Sequence, residues 1–251
     1  MLYVIGIGLG DEKDISVRGL EIVRKCNFVY LETYTSRLSC DLKTLEDFYG
    51  KKVIPADRDL VEKRPEEIFG KAKENDVALL IIGDVFSATT HTAFVQAARK
   101  AEIEVKIVHN ASVITAVGDT GLSLYKFGKT ASIPFENKEV EAPYDVLLEN
   151  KDKHTLFLLD LDPQREIFMN IKEAMEYLLS VEEKRKENIF TNETMTVVCC
   201  QLGSIDEQIV YGKVKDLLKQ KFTKYPQCLI VPGKLHFMEE EFLNGFALQG
   251  K

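Results

Sequence analysis

The sequence contains no tryptophan, and its arginines are few and scattered along the chain. A ligand that carries many carboxylates calls for clustered arginines, because guanidinium groups pair with carboxylates in a bidentate way. The net charge of −7 also argues against a nucleic-acid backbone as the main partner, since that binding draws on a dense basic face. We therefore expect no nucleic-acid partner.

Long apolar runs are missing as well. No run approaches the ~18 residues that a membrane span needs, and the N-terminus lacks the basic and apolar regions of a signal peptide. We expect a cytoplasmic protein without membrane contact. No C-x-x-C pair occurs, so buried thiols are the preferred interpretation of the cysteines, with a metal or disulfide role as the alternative. The cysteines are Cys26, Cys40, Cys199, Cys200 and Cys228.

Histidines also lack the spacing of a metal site. His91, His109 and His154 have no acidic or cysteine partner at ligand spacing, and we expect no metal.

Strands and helices are predicted to alternate in the first half of the chain. The predicted strands are Leu2–Gly6, Phe28–Leu31, Lys52–Ile54, Val77–Ile82 and Val105–Val108, and the predicted helices are Ser16–Cys26, Pro65–Lys73, Thr90–Lys100 and Ser112–Tyr125. This alternation is typical of a mostly parallel five-stranded sheet with right-handed crossovers. An α/β domain over residues 1–126 follows.

A different pattern begins near Lys126–Lys129. The predicted strands here are 130–134, Thr155–Leu159, 196–201, 208–212 and 228–231, and the predicted helices are 144–150, 164–186 and 213–220. We expect a second α/β domain over residues 127–251, with a mixed sheet and helices.

Polar or glycine-rich breaks follow three of the predicted strands. Gly6, Gly8 and Gly10 come after the first strand, where backbone without side chains could approach a ligand. Asp84 follows the fourth strand, and the turn to Ser112 follows the fifth. Asp11 stands where a dinucleotide-binding loop has its third glycine, so a phosphate loop is disfavoured. Three such strand ends on one sheet edge predict a ligand crevice.

These breaks, in this order, resemble the motifs of the tetrapyrrole methylase superfamily and, within it, those of the diphthine synthase family. Three later segments, Phe157–Leu161, Cys200–Ser204 and Leu229–His236, are similar to that family's C-terminal motifs. The resemblance covers essentially the whole chain. It implies two α/β domains with S-adenosylmethionine bound in the cleft between them, and S-adenosylhomocysteine as the product.

The resemblance also implies the cofactor contacts. They are Leu9, Asp84, Ser87, Ser112, Val113, Leu161, Leu202 and His236. Local chemistry supports Asp84 independently, because a carboxylate can accept from cofactor hydroxyl or amino groups; the alternative is a cap on a helix over 86–100. Core packing is the alternative for the four apolar residues. For His236 the alternative is a structural histidine.

The implied reaction is methylation of the amino group of 3-amino-3-carboxypropyl-histidine on translation elongation factor 2 by a homodimeric enzyme. We expect three transfers, as in family members of the archaeal type; the alternative is the eukaryotic type, which adds an ester methyl. No catalytic residue is assigned, but Asp84 and Glu32 are candidates for receiving the ammonium proton through water, in surroundings desolvated by Tyr30, Tyr34 and Phe86. Two alternatives stay open: a uroporphyrinogen or precorrin C-methyltransferase, and a non-catalytic nucleotide-binding module.

Overall fold

The computed structural model describes residues 1–248 of the chain. The chain divides into two compact units. The first consists of Met1–Ala116 together with the short segment Asp162–Arg165, and the second consists of Val117–Leu161 and the chain from Glu166 onward. The predicted division at residues 126/127 thus falls inside the second unit. Segment 117–126 belongs there because it binds a buried carboxylate of that unit, described below.

The first unit alternates strands and helices. Its elements are β1 (Leu2–Gly6), α1 (Val17–Lys25), β2 (Phe28–Glu32), α2 (Leu42–Tyr49), β3 (Ile54–Ala56), α3 (Glu66–Glu74), β4 (Val77–Ile81), α4 (His91–Lys100), β5 (Val105–Val108) and the one-turn helix α5 (Val113–Ala116). The strands form one sheet in the order β3-β2-β4-β1-β5, and every pairing is parallel. The predicted parallel five-stranded sheet is confirmed.

Helices cover both faces of this sheet. Buried side chains of α1 and α2 form one core with the sheet, and those of α3 and α4 form another. The central strand β4 is therefore buried on both faces, and all five of its residues are apolar. A continuous apolar run of this kind is typical of parallel sheets.

Helix α2 was not predicted from the sequence. It begins after Asp41, whose carboxylate accepts a hydrogen bond from Thr44 N at 2.8 Å, and it ends at Gly50, which adopts a φ of 68°. An aspartate at the N-cap and a left-handed glycine at the end are the usual signals of a short helix. The helix predicted from Ser112 to Tyr125 is α-helical only over its first turn: it continues as a 3-10 helix over Val117–Thr120 and ends at Gly121, which adopts a φ of 79°.

A mostly apolar pocket of about 260 Å³ lies beside the ends of β2 and β3. Its lining includes Leu31, Arg37 and Pro55, and also Pro163 and Gln164. The last two come from the short segment Asp162–Arg165, which therefore forms one wall of a pocket in the first unit.

The second unit holds a mixed sheet. Its elements are β6 (Ala131–Ile133), α6 (Ala142–Asn150), β7 (Thr155–Leu159), β8 (Leu161–Asp162), β9 (Ile167–Phe168), α7 (Ile171–Arg185), β10 (Met195–Cys200), β11 (Gln208–Lys213), α8 (Val214–Leu217), β12 (Gln227–Val231) and α9 (Phe237–Asn244). Five strands pair in the order β11-β10-β12-β7-β6, and β8 pairs with β9. Only β6 and β7 run parallel within the five-stranded sheet, so the predicted mixed sheet is confirmed.

Helix α7 starts later than predicted. Asn170 and Glu173 form a capping box: Glu173 N donates to Asn170 Oδ1 at 3.0 Å, and Asn170 N donates to Glu173 Oε2 at 2.8 Å. This reciprocal pair fixes the helix start, so the first residues of the predicted span 164–186 form a turn and β9 instead. Helix α9 was not predicted either, and it too begins with a capping box.

Two predictions from composition can be compared with the structure. Four cysteines, Cys26, Cys199, Cys200 and Cys228, are buried as expected, and all five are free thiols. No helix within residues 1–248 is long and apolar enough to span a bilayer.

Candidate functional site

The carboxyl ends of β4 and β1 mark the place where a parallel sheet of this topology binds ligands. The chain leaves β1 toward the β3 edge and leaves β4 toward the β5 edge, so their crossover helices lie on opposite faces. Ligands of open α/β sheets bind at such a switch point. Here two glycines join the strand ends: Gly83 N donates to Gly8 O at 2.7 Å, and Gly8 N donates to Gly83 O at 3.3 Å.

Glycine is required at the end of β1 and directly after it, because other atoms of the chain leave no room for a side chain there. A Cβ on Gly6 would lie 2.6 Å from the carbonyl oxygen of Gly83 and 3.1 Å from Cβ of Asn110. A Cβ on Gly8 would lie 2.4 Å from Cβ of Asp14, and Gly8 has a φ of 84°. The space over Gly6 and Gly8 is thus filled by the protein. Their absent side chains allow neighbouring loops to approach β1.

Asp84 holds the loop after β4 to the loop after β5. Its Oδ1 accepts hydrogen bonds from Phe86 N at 3.0 Å and Ser87 Oγ at 3.1 Å. Its Oδ2 accepts from Asn110 N at 3.1 Å and lies 2.8 Å from Nδ1 of His109. Four hydrogen bonds use the four lone pairs of a carboxylate.

This arrangement has an electrostatic consequence. Burial alone would raise the pKa of Asp84, but hydrogen bonds from Phe86 N, His109 and Asn110 N more than compensate, and the pKa lies below its ordinary value. Asp84 is therefore ionised. Its hydrogen bonds join the loops after β4 and β5 across the end of β1, which lies between those two strands, and this close approach is the reason for glycines at the end of β1. The helix predicted over 86–100 begins only at His91, as α4. Asp84 therefore caps the turn that precedes α4 and does not cap the helix itself.

The other predicted contacts of the first unit surround this point. Leu9 is half-buried, and its N–H donates to Asp14 Oδ2 at 3.3 Å. Ser112 is buried and starts α5, in which Val113 is the first residue and is half-buried. A Cβ on Gly83 would have only ordinary contacts, with Leu9 Cδ2 at 3.7 Å and the carbonyl oxygen of Ala111 at 3.9 Å. The loop ends thus leave a recess about the size of one methyl group over Gly83, between Leu9 and Ala111.

The predicted contacts of the second unit lie on three of its loops and strand ends. Leu161 begins β8, and its N–H donates to Asp160 Oδ1 at 2.9 Å. Leu202 is buried and sits between Gln201 and Gly203, both with positive φ. His236 is exposed and is the N-cap residue of α9: its Nδ1 accepts from Met238 N at 3.4 Å. The structural role that was the alternative for His236 is thus that of a helix cap.

A buried ionic network supports the segment that contains His236. Glu239 accepts from His236 N at 2.8 Å and from Ser123 N at 2.9 Å, and it pairs with Lys126. Nε2 of the buried His154 lies 3.2 Å from Glu239 Oε1. Burial opposes the charge of Glu239, but the hydrogen bonds and Lys126 hold its pKa well below its ordinary value. This network attaches segment 117–126 to the second unit.

Glu32, one of the two candidate proton acceptors, has no exposed surface. Its Oε1 accepts from Tyr34 N at 2.5 Å and Thr35 N at 2.7 Å, and Oε2 accepts from the Thr35 hydroxyl. Burial raises its pKa despite these bonds. Like Asp84, Glu32 uses its carboxylate to fix a turn after a strand, and the geometry favours a structural role for both.

The three aromatic residues predicted to desolvate the amine differ in exposure. Tyr30 is buried, and its hydroxyl binds Lys71 Nζ at 2.6 Å. Tyr34 is buried, whereas Phe86 is 37% exposed. Only Phe86 therefore presents an aromatic surface outward.

The loops after β1, β4 and β5 suit an uncharged or cationic ligand better than a phosphate. These loops carry a single lysine, Lys13, which pairs with Glu12 at 3.7 Å. A phosphate site would need basic side chains or a helix N-terminus with glycine-rich backbone. S-adenosylmethionine carries a sulfonium and no phosphate, so the residues present fit it. Residues 1–248 contain no group of three metal-ligating side chains.

Sequence reasoning missed His109 and Asn110, which bind Asp84. The available signal was topological: Asp84 and His109 both directly follow strands, and the two strands flank the strand that ends in glycines. It could be used only once the strand order was known.

Comparison with known proteins gives consistent results. The family described as Tetrapyrrole (Corrin/Porphyrin) Methylases matches residues 1–218. The diphthine methyl ester synthase of Dictyostelium discoideum is 39% identical, over 99% of each chain. The diphthine synthase of Methanococcus maripaludis is 43% identical, over 97% of this chain and 98% of the relative. A crystal structure of diphthine synthase superposes with a TM-score of 0.90 at 37% identity, over 98% of this chain and 95% of that one.

Proposed function

The chain belongs to the tetrapyrrole methylase family and groups there with the diphthine synthases, and from this membership we propose its substrate. It is an S-adenosylmethionine-dependent methyltransferase of diphthamide biosynthesis. We propose that it methylates the amino group of 3-amino-3-carboxypropyl-histidine on translation elongation factor 2, three times. The supporting observation is similarity of about 40% identity along nearly the whole chain.

The proposed cofactor contacts are those named from the sequence. They are Leu9, Asp84, Ser87, Ser112 and Val113 in the first unit and Leu161, Leu202 and His236 in the second. When bound, S-adenosylmethionine supplies an electrophilic methyl group on a sulfonium sulfur. The recess between Leu9 and Ala111 supports the proposal for the first unit, with Asp84 fixing the loops that form it.

The chain's own residues must bind the acceptor amine and let it lose a proton. An amine with a pKa of ~10 is protonated at neutral pH, and it becomes nucleophilic only after the ammonium proton leaves. An apolar, partly exposed side chain such as Phe86 would favour the neutral amine by excluding water. Asp84 and Glu32 hold their carboxylates in protein hydrogen bonds, so we assign neither as the acceptor of that proton.

The decisive experiment is methyl transfer to elongation factor 2 that carries the 3-amino-3-carboxypropyl group. We expect mass spectrometry to find methyl groups on that residue, with the trimethylated form accumulating. Elongation factor 2 with an unmodified histidine is the matched control and should stay unmethylated. Methylation of a uroporphyrinogen-type ring with no transfer to the modified factor would favour the C-methyltransferase alternative.

Cofactor selectivity has a separate test. Calorimetric titration should show binding of S-adenosylmethionine and none of a nicotinamide dinucleotide, because the loop after β1 offers no phosphate site. The reverse result would support the non-catalytic nucleotide-binding alternative.

We also propose a homodimer that acts in the cytoplasm, without a nucleic-acid partner. Exposed apolar side chains on α9, namely Phe237, Met238 and Phe242, leave surface that a partner could bury. Light scattering should give about twice the mass of the 28.5 kDa chain. A mass equal to that of one chain at micromolar concentration would argue against the dimer.

A further inference from the structure

A second group of polar side chains gathers at the carboxyl ends of β2, β3 and β4. Tyr34 follows β2, Arg58 and Glu62 follow β3, and His91 begins α4 after β4. Arg58 immediately precedes a π-helical turn, Asp59–Lys63, that contains Glu62. Turns of this type are rare and are often found at functional sites. None of the four residues belongs to the cofactor contacts proposed above.

Two of these residues are buried with polar atoms that lack hydrogen bonds of normal length. Tyr34 is 6% exposed and His91 is 1% exposed. Among the described residues, the Tyr34 hydroxyl and both ring nitrogens of His91 form no hydrogen bond of normal length, although Tyr34 faces the Glu62 carboxylate and His91 faces the backbone of Val85. Buried polar groups are normally well paired, and imperfect pairing costs stability. These two groups, with ring centroids 6.2 Å apart, retain capacity to bind a polar ligand.

Glu62 lies close to both of them. Its carboxylate is exposed and accepts a hydrogen bond from Thr90 Oγ1 at 3.1 Å, next to His91. Burial raises the pKa of Tyr34, and the nearby carboxylates of Glu32 and Glu62 raise it further. Burial lowers the pKa of His91 to about 4, against the opposing effect of Glu62. Tyr34 and His91 are thus neutral at pH 7, beside the carboxylate of Glu62.

Arg58 adds a positive charge next to Tyr34. Its guanidinium carbon lies 5.1 Å from the centroid of the Tyr34 ring, and the residue is exposed. Within residues 1–248, no carboxylate lies within 4.0 Å of Arg58, whereas its neighbour Arg64 pairs with Glu67 at 2.5 Å. The fork of donors on Arg58 is therefore available to bind a carboxylate in a bidentate way.

We propose that these four residues bind an α-amino-carboxylate group, with Arg58 on the carboxylate, Glu62 on the ammonium, and Tyr34 and His91 completing the polar wall. A cation, an anion and neutral donors side by side match a zwitterion better than a simple anion. The proposal rests on the function proposed above, and it assigns the bound group to the 3-amino-3-carboxypropyl side chain of the acceptor.

The methionyl end of the cofactor carries the same chemical group, but the sheet order favours the acceptor. Strand β3 lies three positions from β1 in the order β3-β2-β4-β1. Three strand spacings of about 4.8 Å place the end of β3 roughly 14 Å from the end of β1. The group of four residues thus extends from His91, beside the β4/β1 switch point, toward β3, so an acceptor held there lies next to the cofactor contacts of the first unit and does not overlap them.

The test compares charge-removing variants in the full-length enzyme. Arg58→Gln and Glu62→Gln are expected to raise the KM for the modified elongation factor about ten- to a hundredfold, as loss of a charge-assisted contact does. The Kd of S-adenosylmethionine, measured by calorimetry, should stay unchanged. Arg58→Lys should lie between wild type and Arg58→Gln. Arg64→Gln removes a neighbouring exposed guanidinium and should leave both constants unchanged.

Tyr34→Phe separates ligand binding from stability. It removes a buried hydroxyl that faces Glu62 without a hydrogen bond of normal length, so the melting temperature should stay equal or rise. The KM for the acceptor should nevertheless increase. Binding of the modified factor to cofactor-free enzyme, followed by biolayer interferometry, should weaken in parallel, which provides a readout independent of turnover.

Three results would overturn the inference in an enzyme whose wild type is active. They are an unchanged acceptor KM in both charge variants, a weaker Kd for S-adenosylmethionine with an unchanged acceptor KM, and a loss from Arg64→Gln equal to that from Arg58→Gln. The second result would identify the methionyl end as the bound group. Inactivity of the wild type toward the modified factor would instead refute the proposed function.

Discussion

Replacing Asp84 with alanine should destabilise the protein far more than a change at an ordinary helix cap. The change leaves the N–H groups of Phe86 and Asn110 without their acceptor. A buried N–H without a partner costs ~1–3 kcal/mol. Both of these groups are only part-buried, so we expect a loss of about 2–4 kcal/mol in the free energy of unfolding. Ser87 and His109 are partly exposed, and they can bind water instead.

Asp41 provides a matched control. Its carboxylate accepts from Thr44 N and Thr44 Oγ1 at the start of α2, but it is exposed. Asp41→Ala should cost clearly less than Asp84→Ala, because water can replace the carboxylate at an exposed N-cap. Urea unfolding followed by circular dichroism at pH 7 measures both variants.

Asp84→Asn gives an intermediate case. An amide keeps one acceptor oxygen and places an NH₂ group against two donors, so about half of the loss should remain. The pKa of Asp84 is depressed in the folded protein, so its contribution is complete above the unfolded pKa of ~3.9 and is lost as the pH falls through the folded pKa. Asp84→Asn should therefore weaken the dependence of stability on pH below about pH 4.

The refuting result is equal stability of Asp84→Ala and Asp41→Ala. If Asp84→Ala then also bound S-adenosylmethionine ten times more weakly, the carboxylate would be a direct cofactor contact, and its hydrogen bonds to the loops would contribute little.

Three further predictions concern other parts of the molecule. Glu239→Gln weakens the pairing with the half-exposed Lys126, which keeps its bond to the Lys234 carbonyl, and should cost about 1–3 kcal/mol in urea unfolding; a loss below 1 kcal/mol would contradict the network. Gly6→Ala forces a methyl group against the Gly83 carbonyl and should lower the melting temperature by several degrees, whereas Gly70→Ala meets open space in α3 and should stabilise by ~0.5–1 kcal/mol; the opposite order would show that Gly6 is not constrained by packing. The net charge of −7 predicts that added salt weakens association with elongation factor 2, and salt-insensitive binding would refute this charge argument.

The elements that the sequence predicted well are those that a single local pattern determines. β1, β5 and β7 have the predicted bounds, because each is a short apolar run between turn-forming residues. The helices that were missed or misplaced, α2, α7 and α9, begin with side-chain caps at Asp41, Asn170 and His236. Two of these caps include the glutamate of a capping box, so the signal was present in the sequence.

The candidate site was less predictable because its residues come together through topology. Asp84 could be located at a strand end, but its partner His109 becomes visible only when β1 is known to lie between β4 and β5. The same holds for Tyr34, Glu62 and His91, which are far apart in sequence and follow three adjacent strands. A histidine without a hydrogen bond of normal length cannot be recognised from sequence at all, because the property belongs to its surroundings.

The segment Asp162–Arg165 has a consequence for synthesis of the chain. Every strand of the parallel sheet has left the ribosome by the time Ala116 emerges, yet the pocket beside Leu31 lacks its wall until Pro163 and Gln164 follow. The first unit is therefore completed only after part of the second has been made, so the two units cannot mature strictly one after the other. A fragment ending at Ala116 should carry the whole sheet with an apolar pocket open to solvent, and nascent chains of that length should be the ones that bind chaperones.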